Sequence, residues 1–266
     1  MERFLGRFSP YAYAFLRIIT GLLFALHGSQ KLLGWPPSDQ GGGGGGLPPL
    51  MMVAGVVELV GGLLVAAGLF TRIAAFLASG QMAVAYFMKH APESFWPSQN
   101  NGEAAAVFCF IFLFIAAHGS GIWSVDSART TRPLPFLARY EHLVYAVARL
   151  FIGLMFAVHG ADKVLGWPGG GPKMTELLIV AAGWIELVCG VLIAVGFLSG
   201  WAGFLASGTM AVAYFKGHAL GNSFWPIVNH GELAVLYCFF FLYVATRGAR
   251  REGAVVVEPA PVEVVP

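Results

Sequence analysis

Charged residues are scarce in this sequence. Only 11% of its 266 residues are charged and 57% are hydrophobic, whereas about a quarter of an ordinary soluble domain is charged. A soluble protein of this composition would have too few charged residues to cover its surface, but a bilayer accepts apolar side chains on the outside. The composition therefore predicts an integral membrane protein. A net charge of +2, spread along the chain, argues against a nucleic-acid partner.

Motifs that bind redox cofactors are also missing. The three cysteines, Cys109, Cys189 and Cys238, lie in apolar runs without CxxC spacing, which predicts small core residues and no disulfide framework. There is no CxxCH haem attachment, cysteine cluster or dinucleotide-binding glycine fingerprint. Any redox chemistry would therefore need a bound cofactor or a partner subunit.

Long apolar runs are what the sequence has in abundance. Each run is about 17–24 residues long, which matches the roughly 20 residues that cross about 30 Å of hydrocarbon. The runs predict an all-α membrane protein with about eight transmembrane helices, at approximately 11–33, 47–70, 72–89, 103–119, 143–166, 174–198, 201–217 and 231–247.

The second half of the chain repeats the first. Self-matching at several separate motifs indicates duplication, and an even number of spans in each copy makes the copies parallel repeats. We predict two four-helix bundle units at 1–121 and 143–248, a cytoplasmic linker at 122–142 and a disordered cytoplasmic tail at 249–266. The matches are His27-Gly28 with His159-Gly160, Lys31 with Lys163, Gly34-Trp35-Pro36 with Gly166-Trp167-Pro168, Glu58 with Glu186, Tyr86 with Tyr214, His90 with His218, and Gly102-Glu103 with Gly231-Glu232.

Basic residues are distributed unevenly between the two predicted sides. By the positive-inside rule, the arginine-bearing side is cytoplasmic, so both termini are predicted to be cytoplasmic and the protein to lie in the inner membrane. The shared polar motifs then fall in the extracytoplasmic half. The arginines are Arg3, Arg7, Arg72, Arg129, Arg132, Arg139, Arg247, Arg250 and Arg251, and the other side has Lys31, Lys89, Lys163, Lys173 and Lys216.

The histidine–lysine pairs are the first candidate site residues. His27 and Lys31 are four residues apart and share a helix face, as do His159 and Lys163. Asp162, three residues from His159, is placed to fix the tautomer of that imidazole. The pairs could bind a ligand, or the histidines could simply hydrogen-bond a neighbouring helix.

Glu58 and Glu186 lie near the middle of predicted spans, where an ionised carboxylate must be paired, protonated or next to a polar cavity. Glycines on the same face would let another helix or a flat ligand approach closely. The alternative to a functional site is a carboxylate that binds a neighbouring helix, for example through Arg17 or Arg149.

A tyrosine and a histidine are also paired four residues apart, as Tyr86 with His90 and Tyr214 with His218. Together a phenol and an imidazole could donate hydrogen bonds to carbonyl oxygens and pass protons, although an interfacial belt would look the same. Glu103 and Glu232 are expected in the first turn of a helix, where the helix dipole favours a carboxylate. Trp35, Trp96, Trp167 and Trp225 are expected to be mostly interfacial anchors.

Taken together, the motifs resemble those of the DoxX family of four-helix membrane proteins. The residues that carry the resemblance are Arg17, Gly21, His27-Gly28, Lys31, Gly34-Trp35, Glu58, His90, Asn101-Gly102-Glu103, Ser124 and Asp126, and in the second copy Arg149, Gly153, His159-Gly160, Lys163, Gly166-Trp167, Glu186, His218 and Gly231-Glu232. The resemblance implies a link to the membrane subunit of thiosulfate:quinone oxidoreductase and to oxidoreductase complexes that respond to oxidative or quinone stress. His230 replaces the asparagine before the second Gly-Glu, and the second copy lacks the Gly119-Ser120-Gly121 ending, so the two sites are not expected to be equivalent.

Three functions are compatible with these residues. The first is a quinone-interacting oxidoreductase subunit associated with other membrane or redox subunits, the second a non-catalytic accessory subunit, and the third a small-solute carrier. A haem held by His27 and His159 is a further alternative, and no metal site is predicted. For the first function the predicted catalytic residues are His27, Glu58, His90, His159, Glu186 and His218, and the predicted cofactor-binding residues are Lys31, Trp35, Tyr86, Asn101, Glu103, Lys163, Trp167, Tyr214 and Glu232.

Overall fold

The computed structural model describes residues 5–37, 46–128, 134–169, 175–220 and 223–247. The predicted tail at 249–266 and part of the predicted linker lie outside these residues. So do several of the basic residues on which the predicted topology depends, namely Arg3, Arg129, Arg132, Lys173, Arg250 and Arg251.

Within the described residues the protein is all-helical, with nine α-helices and no strand, as the sequence predicted. The third and eighth helices continue into π-helical turns at Tyr86–His90 and Tyr214–Ala219, and Val57–Gly61 in the second is also π-helical. The helices are α1 Ser9–Leu33, α2 Pro49–Ala67, α3 Thr71–Ala85, α4 Glu103–His118, α5 Pro135–Arg139, α6 Glu141–Leu165, α7 Leu177–Val195, α8 Ser199–Ala213 and α9 Glu232–Arg247.

In the part of the chain that the structure describes, four helices are long and apolar enough to cross a membrane by length and composition. They are Gly6–Leu33, which contains α1, then α2, α6 and α7, and α4 is apolar but shorter. The helices therefore support a multi-pass membrane protein. Short α5 and the start of α6 occupy the region that the sequence assigned to a linker, and Glu141 is already the first residue of α6.

The duplication is visible in the helix ends. Helices α1 and α6 both stop at a glycine with left-handed backbone, Gly34 at φ 66° and Gly166 at φ 72°, a conformation that glycine adopts at little cost. Helices α3 and α8 both begin after a left-handed residue, Phe70 and Leu198. At α3 the carboxylate of Asp126 accepts hydrogen bonds from the backbone N–H groups of Phe70 and Thr71.

The halves are joined through their first and last helices. Helix α1 packs against α2 of its own half and α9 of the other half, and α6 packs against α7 and α4. The core contains an aromatic layer of Phe24, Phe108, Phe112, Phe156 and Phe241. Helices α2 and α7 are more peripheral and expose apolar side chains such as Leu63 and Val188, as expected of surfaces that face lipid.

The glycine faces of α2 and α7 are filled by the neighbouring helices α1 and α6. A Cβ atom on Gly28 of α1 would lie 2.3 Å from the nitrogen of Leu59, and one on Gly62 would lie 2.6 Å from the nitrogen of Ala25. Gly160 meets Leu187 at the same 2.3 Å in the second half. Of the two occupants that the sequence allowed, the structure places a neighbouring helix there. The glycines therefore do not line a slot for a flat ligand.

Replacing Gly28 with alanine is expected to separate α1 from α2, because the added methyl group has no space between two backbones. Overpacking of this kind costs about 1–3 kcal/mol, so G28A should unfold at a clearly lower temperature in detergent. The control is G80A in α3, where a Cβ atom would meet nothing within 4 Å and alanine is favoured over glycine. Equal melting temperatures for G28A and the wild type would contradict the close approach.

Candidate functional site

The glutamates in the middle of α2 and α7 are paired with lysines from the neighbouring helix. The Lys31 ammonium donates to both carboxylate oxygens of Glu58, at 2.5 and 2.6 Å. Lys163 donates to both oxygens of Glu186, at 2.5 and 2.7 Å. The close packing of the two helices makes this contact possible, since it brings the last turn of α1 alongside the middle of α2.

Each carboxylate thus binds a neighbouring helix, as the alternative to a functional site expected, but its partner is a lysine and not Arg17 or Arg149. The Arg17 guanidinium donates to the carbonyl oxygens of Val65 at 2.7 Å, Ala66 at 2.6 Å and Trp123 at 2.7 Å. The first two belong to the last turn of α2, whose carbonyl groups lack partners within the helix. Arg149 lies against Gly196, just beyond the end of α7, and Glu186 is bound by Lys163 instead.

His27 and His159, the histidines of the two histidine–lysine pairs, each bind a glutamate from the other half of the chain. Nε2 of His27 lies 2.7 and 2.9 Å from the carboxylate oxygens of Glu232. Nε2 of His159 lies 2.7 and 2.8 Å from those of Glu103. Glu103 is the first residue of α4 and Glu232 is the first residue of α9, in the first turn of a helix, as the sequence predicted. Asp162 lies against Gly169, so the carboxylate that meets the His159 imidazole is Glu103.

These contacts define two clusters, each made by three helices from both halves. The first half-site is His27, Lys31, Glu58 and Glu232, and the second half-site is His159, Lys163, Glu186 and Glu103. The side chains of Glu58 and Glu186 are only 2% exposed, whereas those of the histidines and lysines are 29–37% exposed. The histidine and lysine side chains are therefore the more exposed members of each half-site, and the carboxylates that pair with them are the less exposed ones.

The Tyr–His pairs have a different set of contacts. Nδ1 of His90 lies 2.9 Å from the carbonyl oxygen of Asn100, and Nδ1 of His218 lies 2.9 Å from that of Asn229. The Tyr214 hydroxyl donates to the carbonyl oxygen of Phe224 at 2.6 Å, and the ring of Tyr86 stacks against that of His90. These side chains hold the loop that precedes α4 or α9.

The asparagine that organises this loop is Asn100, which the sequence reasoning missed in favour of Asn101. Asn100 is 1% exposed. Its amide donates to the carbonyl oxygen of Ser94 at 2.9 Å and accepts from the backbone N–H of Gly102 at 2.8 Å. Asn229 makes the same two bonds in the second copy, and this recurrence in the sequence is the signal that could have found the pair.

Asn101 and its counterpart His230 are exposed residues with left-handed backbone, at φ 56° and 58°. Asparagine and histidine are among the non-glycine residues that adopt this conformation most readily. The His230 replacement therefore falls in an equivalent turn and does not by itself distinguish the two halves.

Tryptophans join the halves at the same end as the half-sites. The rings of Trp35 and Trp225 meet edge to face with centroids 5.2 Å apart, and those of Trp96 and Trp167 do so at 5.1 Å. Each pair takes one residue after α1 or α6 and one from the loop before α9 or α4. These residues, expected mostly as interfacial anchors, thus also make contacts across the halves.

The opposite end carries an ion-pair cluster that the sequence did not predict. Glu141 binds Nδ1 of His118 at 3.0 Å and the guanidinium of Arg247 at 2.6 Å, and that guanidinium lies over the Tyr145 ring at 4.0 Å. His118 and Arg247 occupy corresponding positions at the ends of α4 and α9. The sequence does not indicate this cluster, because Glu141 falls within the predicted linker, whereas in the structure it is the first residue of α6.

Metal ligation finds little support in the part of the chain that is described. There, no group of three or more His, Cys, Asp or Glu side chains could hold a metal ion. For the alternative of a haem between His27 and His159, both Nε2 atoms are already bound by carboxylates.

Removing one partner of a buried ion pair should be far more damaging than removing both. K31M leaves Glu58 buried without its cation, at a cost of about 3–5 kcal/mol. The double variant K31M/E58M removes the stranded charge and should recover most of that loss. Thermal unfolding in detergent of the wild type, both single variants and the double variant would give the coupling energy. Strictly additive effects would contradict a direct pair.

Comparisons with known proteins agree with the duplicated geometry. The model of the DoxX family matches residues 12–91 and 144–219, one segment in each half and together more than half of the chain. A protein of Haemophilus influenzae, described as uncharacterized, is 43% identical over 126 residues, which cover 46% of this chain and 94% of that protein. No solved structure matches. The chain belongs to the DoxX family and carries two DoxX units in tandem.

Proposed function

We propose that the chain crosses the cytoplasmic membrane eight times as two parallel four-helix units, with both termini in the cytoplasm. The half-sites then lie near the extracytoplasmic face, at the ends of α1 and α6. The proposal is supported by the positions of the basic residues, because the arginine contacts and the lysine contacts lie at opposite ends of the helices. Arg17, Arg72 and Arg247 bind at the end where α1 begins, whereas Lys31 and Lys163 lie at the opposite end.

At that outer face we propose a binding site for a quinone head group, within an oxidoreductase complex. The observation that carries this proposal is the difference in exposure within both half-sites, in which partly exposed histidine and lysine side chains pair with carboxylates that are much less exposed. A carbonyl oxygen that arrives from the open side would meet two nitrogen donors on one helix face. Trp35 and Trp167, both about half exposed, would add an aromatic surface beside the donors.

The residues of the chain would supply hydrogen bonds and protons. His27 and Lys31 would bind the ligand oxygen, and Glu58 and Glu232 would hold protons for exchange through those nitrogens. A bound quinone would supply a couple of two electrons and two protons, with the electrons carried by a partner subunit. Tyr86, Tyr214, His90 and His218 would act by positioning the adjacent loop, through the bonds described above.

Purification in mild detergent, followed by lipid extraction and an optical spectrum, would test this proposal. The wild type should retain quinone. The double variant H27Q/H159Q should retain at least about tenfold less quinone per protein, because each site loses a hydrogen bond that involves a charged group. H142Q is a suitable control, since that histidine side chain is 85% exposed at the other end of the protein. A quinone-free wild type would contradict the proposal.

A non-catalytic accessory subunit is the second candidate. It is favoured by the internal pairing of all four half-site glutamates and by the neighbouring helix that fills each glycine face. In that case partner subunits should co-purify in fixed proportion with both the wild type and H27Q/H159Q. Mass spectrometry of the purified complexes would separate the candidates, because only the quinone proposal ties these histidines to a bound ligand.

A further inference from the structure

In each histidine–glutamate pair, one ring nitrogen is bound and the other is accessible. Nε2 of His27 and Nε2 of His159 both lie within 2.9 Å of two carboxylate oxygens. Among the described residues, no group forms a hydrogen bond with Nδ1 of either histidine, and neither Nδ1 is one of the buried side-chain atoms that lack a partner. Both Nδ1 atoms therefore retain accessible surface, in side chains that are 32% and 37% exposed.

The glutamates determine which ring nitrogen carries the permanent proton. An ionised carboxylate only accepts hydrogen bonds, so the Nε2 atom that it contacts must carry a hydrogen. Glu232 and Glu103 are the first residues of α9 and α4, where the helix dipole favours the ionised form. Nδ1 is then a lone-pair acceptor in the neutral imidazole and an N–H donor in the imidazolium. It is the ring atom at which a proton is gained or lost.

The second pair has one more hydrogen bond than the first. The phenol of Tyr237, on α9, donates to Glu103, and the corresponding residue beside His27 is Phe108. The two rings are otherwise matched, since Tyr237 lies 6.3 Å from the His159 ring at 86° and Phe108 lies 6.1 Å from the His27 ring at 82°. Nε2 makes the same carboxylate contact in both halves. The glutamate, and not the phenol, is therefore what orients the imidazole.

A ligand that took Nε2 would have to separate the histidine from its glutamate. In the part of the chain that is described, His27 is the side chain that binds Glu232, whose own side chain is only 12% exposed. Separation would leave that carboxylate poorly solvated and without its partner, which is costly. A ligand that approaches Nδ1 meets no such cost, because this nitrogen is accessible while the ion pair stays intact.

We propose that His27 and His159 exchange a proton with their ligand through Nδ1 while Nε2 stays on its glutamate. Glu232 and Glu103 are then positioning residues that act through the imidazole. Resting on the proposed function, the ligand is a hydroquinone whose O–H donates to Nδ1. When the proton is transferred, the O–H bond breaks and an Nδ1–H bond forms. The resulting imidazolium already contacts a carboxylate that balances its charge, and the reverse step returns the proton to the ligand oxygen.

Glutamine and asparagine separate the roles of the two ring nitrogens. The glutamine amide nitrogen takes approximately the place of Nε2, and the asparagine amide nitrogen approximately that of Nδ1. H27Q/H159Q should therefore keep the contact with the glutamates and melt close to the wild type in detergent. H27N/H159N should melt several degrees lower, because two carboxylates lose their partners. Equal losses in the two double variants would contradict the anchoring of Nε2.

Nitrogen NMR reads the tautomers without any ligand. Full-length protein labelled with ¹⁵N-histidine is studied in detergent, and H27Q and H159Q identify the two signals. Once the imidazoles are neutral, both should carry the proton on Nε2. E232Q should relax this preference at His27 alone, because a glutamine side chain both donates and accepts, and His159 is the internal reference. A proton on Nδ1 in the wild type, or an E232Q spectrum without change at His27, would overturn the proposal.

A short-chain ubiquinol analogue then tests the role of Nδ1 in binding. Its addition should shift the Nδ1 signals of His27 and His159 and leave both Nε2 atoms protonated on their glutamates. Loss of the Nε2 contact on binding would overturn the inference and leave the quinone function standing. A spectrum without change at either nitrogen would overturn the quinone function and the ligand role of Nδ1 together. The tautomers and melting temperatures would still decide whether the glutamates orient the imidazoles.

Discussion

Three of the four half-site glutamates are buried and the fourth, Glu232, has only 12% of its side chain exposed, and a carboxylate that is buried without a cation would be costly. Each therefore requires a nitrogen from another helix, and this requirement governs how the helices are arranged. Lys31 reaches Glu58 only because Gly28 lets α1 lie against the backbone of α2. His27 reaches Glu232 only because α1 also lies against α9. One helix thus satisfies two carboxylates on two neighbours.

The second of these contacts crosses from one half of the chain to the other. Neither half contains a complete cluster, since the histidine and lysine come from one half and one of the two glutamates from the other. Each tryptophan pair likewise joins a residue of one half to a residue of the other, at the same end of the protein as the half-sites. At the other end, Glu141 gathers His118 and Arg247 from the two halves. The joint between the halves is therefore polar at both ends and aromatic between them.

Much of the architecture followed from the sequence, because apolar length and repetition are local signals. The helical class, the tandem units and the grouping of His27 with Lys31 were all readable in this way. The sequence does not identify the partner of His27, because duplication places an equivalent glutamate in each half. Spacing along the chain does not distinguish Glu103 from Glu232. The occupant of the glycine faces was equally ambiguous, since a helix and a flat ligand require the same small residues. The structural role of Asn100 was not evident in the sequence either, because only the turn geometry reveals which of the two neighbouring amides points inward.

The reciprocal contacts give the tandem arrangement a consequence of its own. A symmetric pair of identical one-unit chains must carry the same residue at both equivalent positions, since one gene encodes both. Tyrosine would then stand beside both histidine–glutamate pairs or beside neither. A single polypeptide removes this restriction, and Phe108 and Tyr237 are different residues at positions that are otherwise matched. Fusion of the units thus lets evolution alter one side of a shared interface while leaving the other as it was.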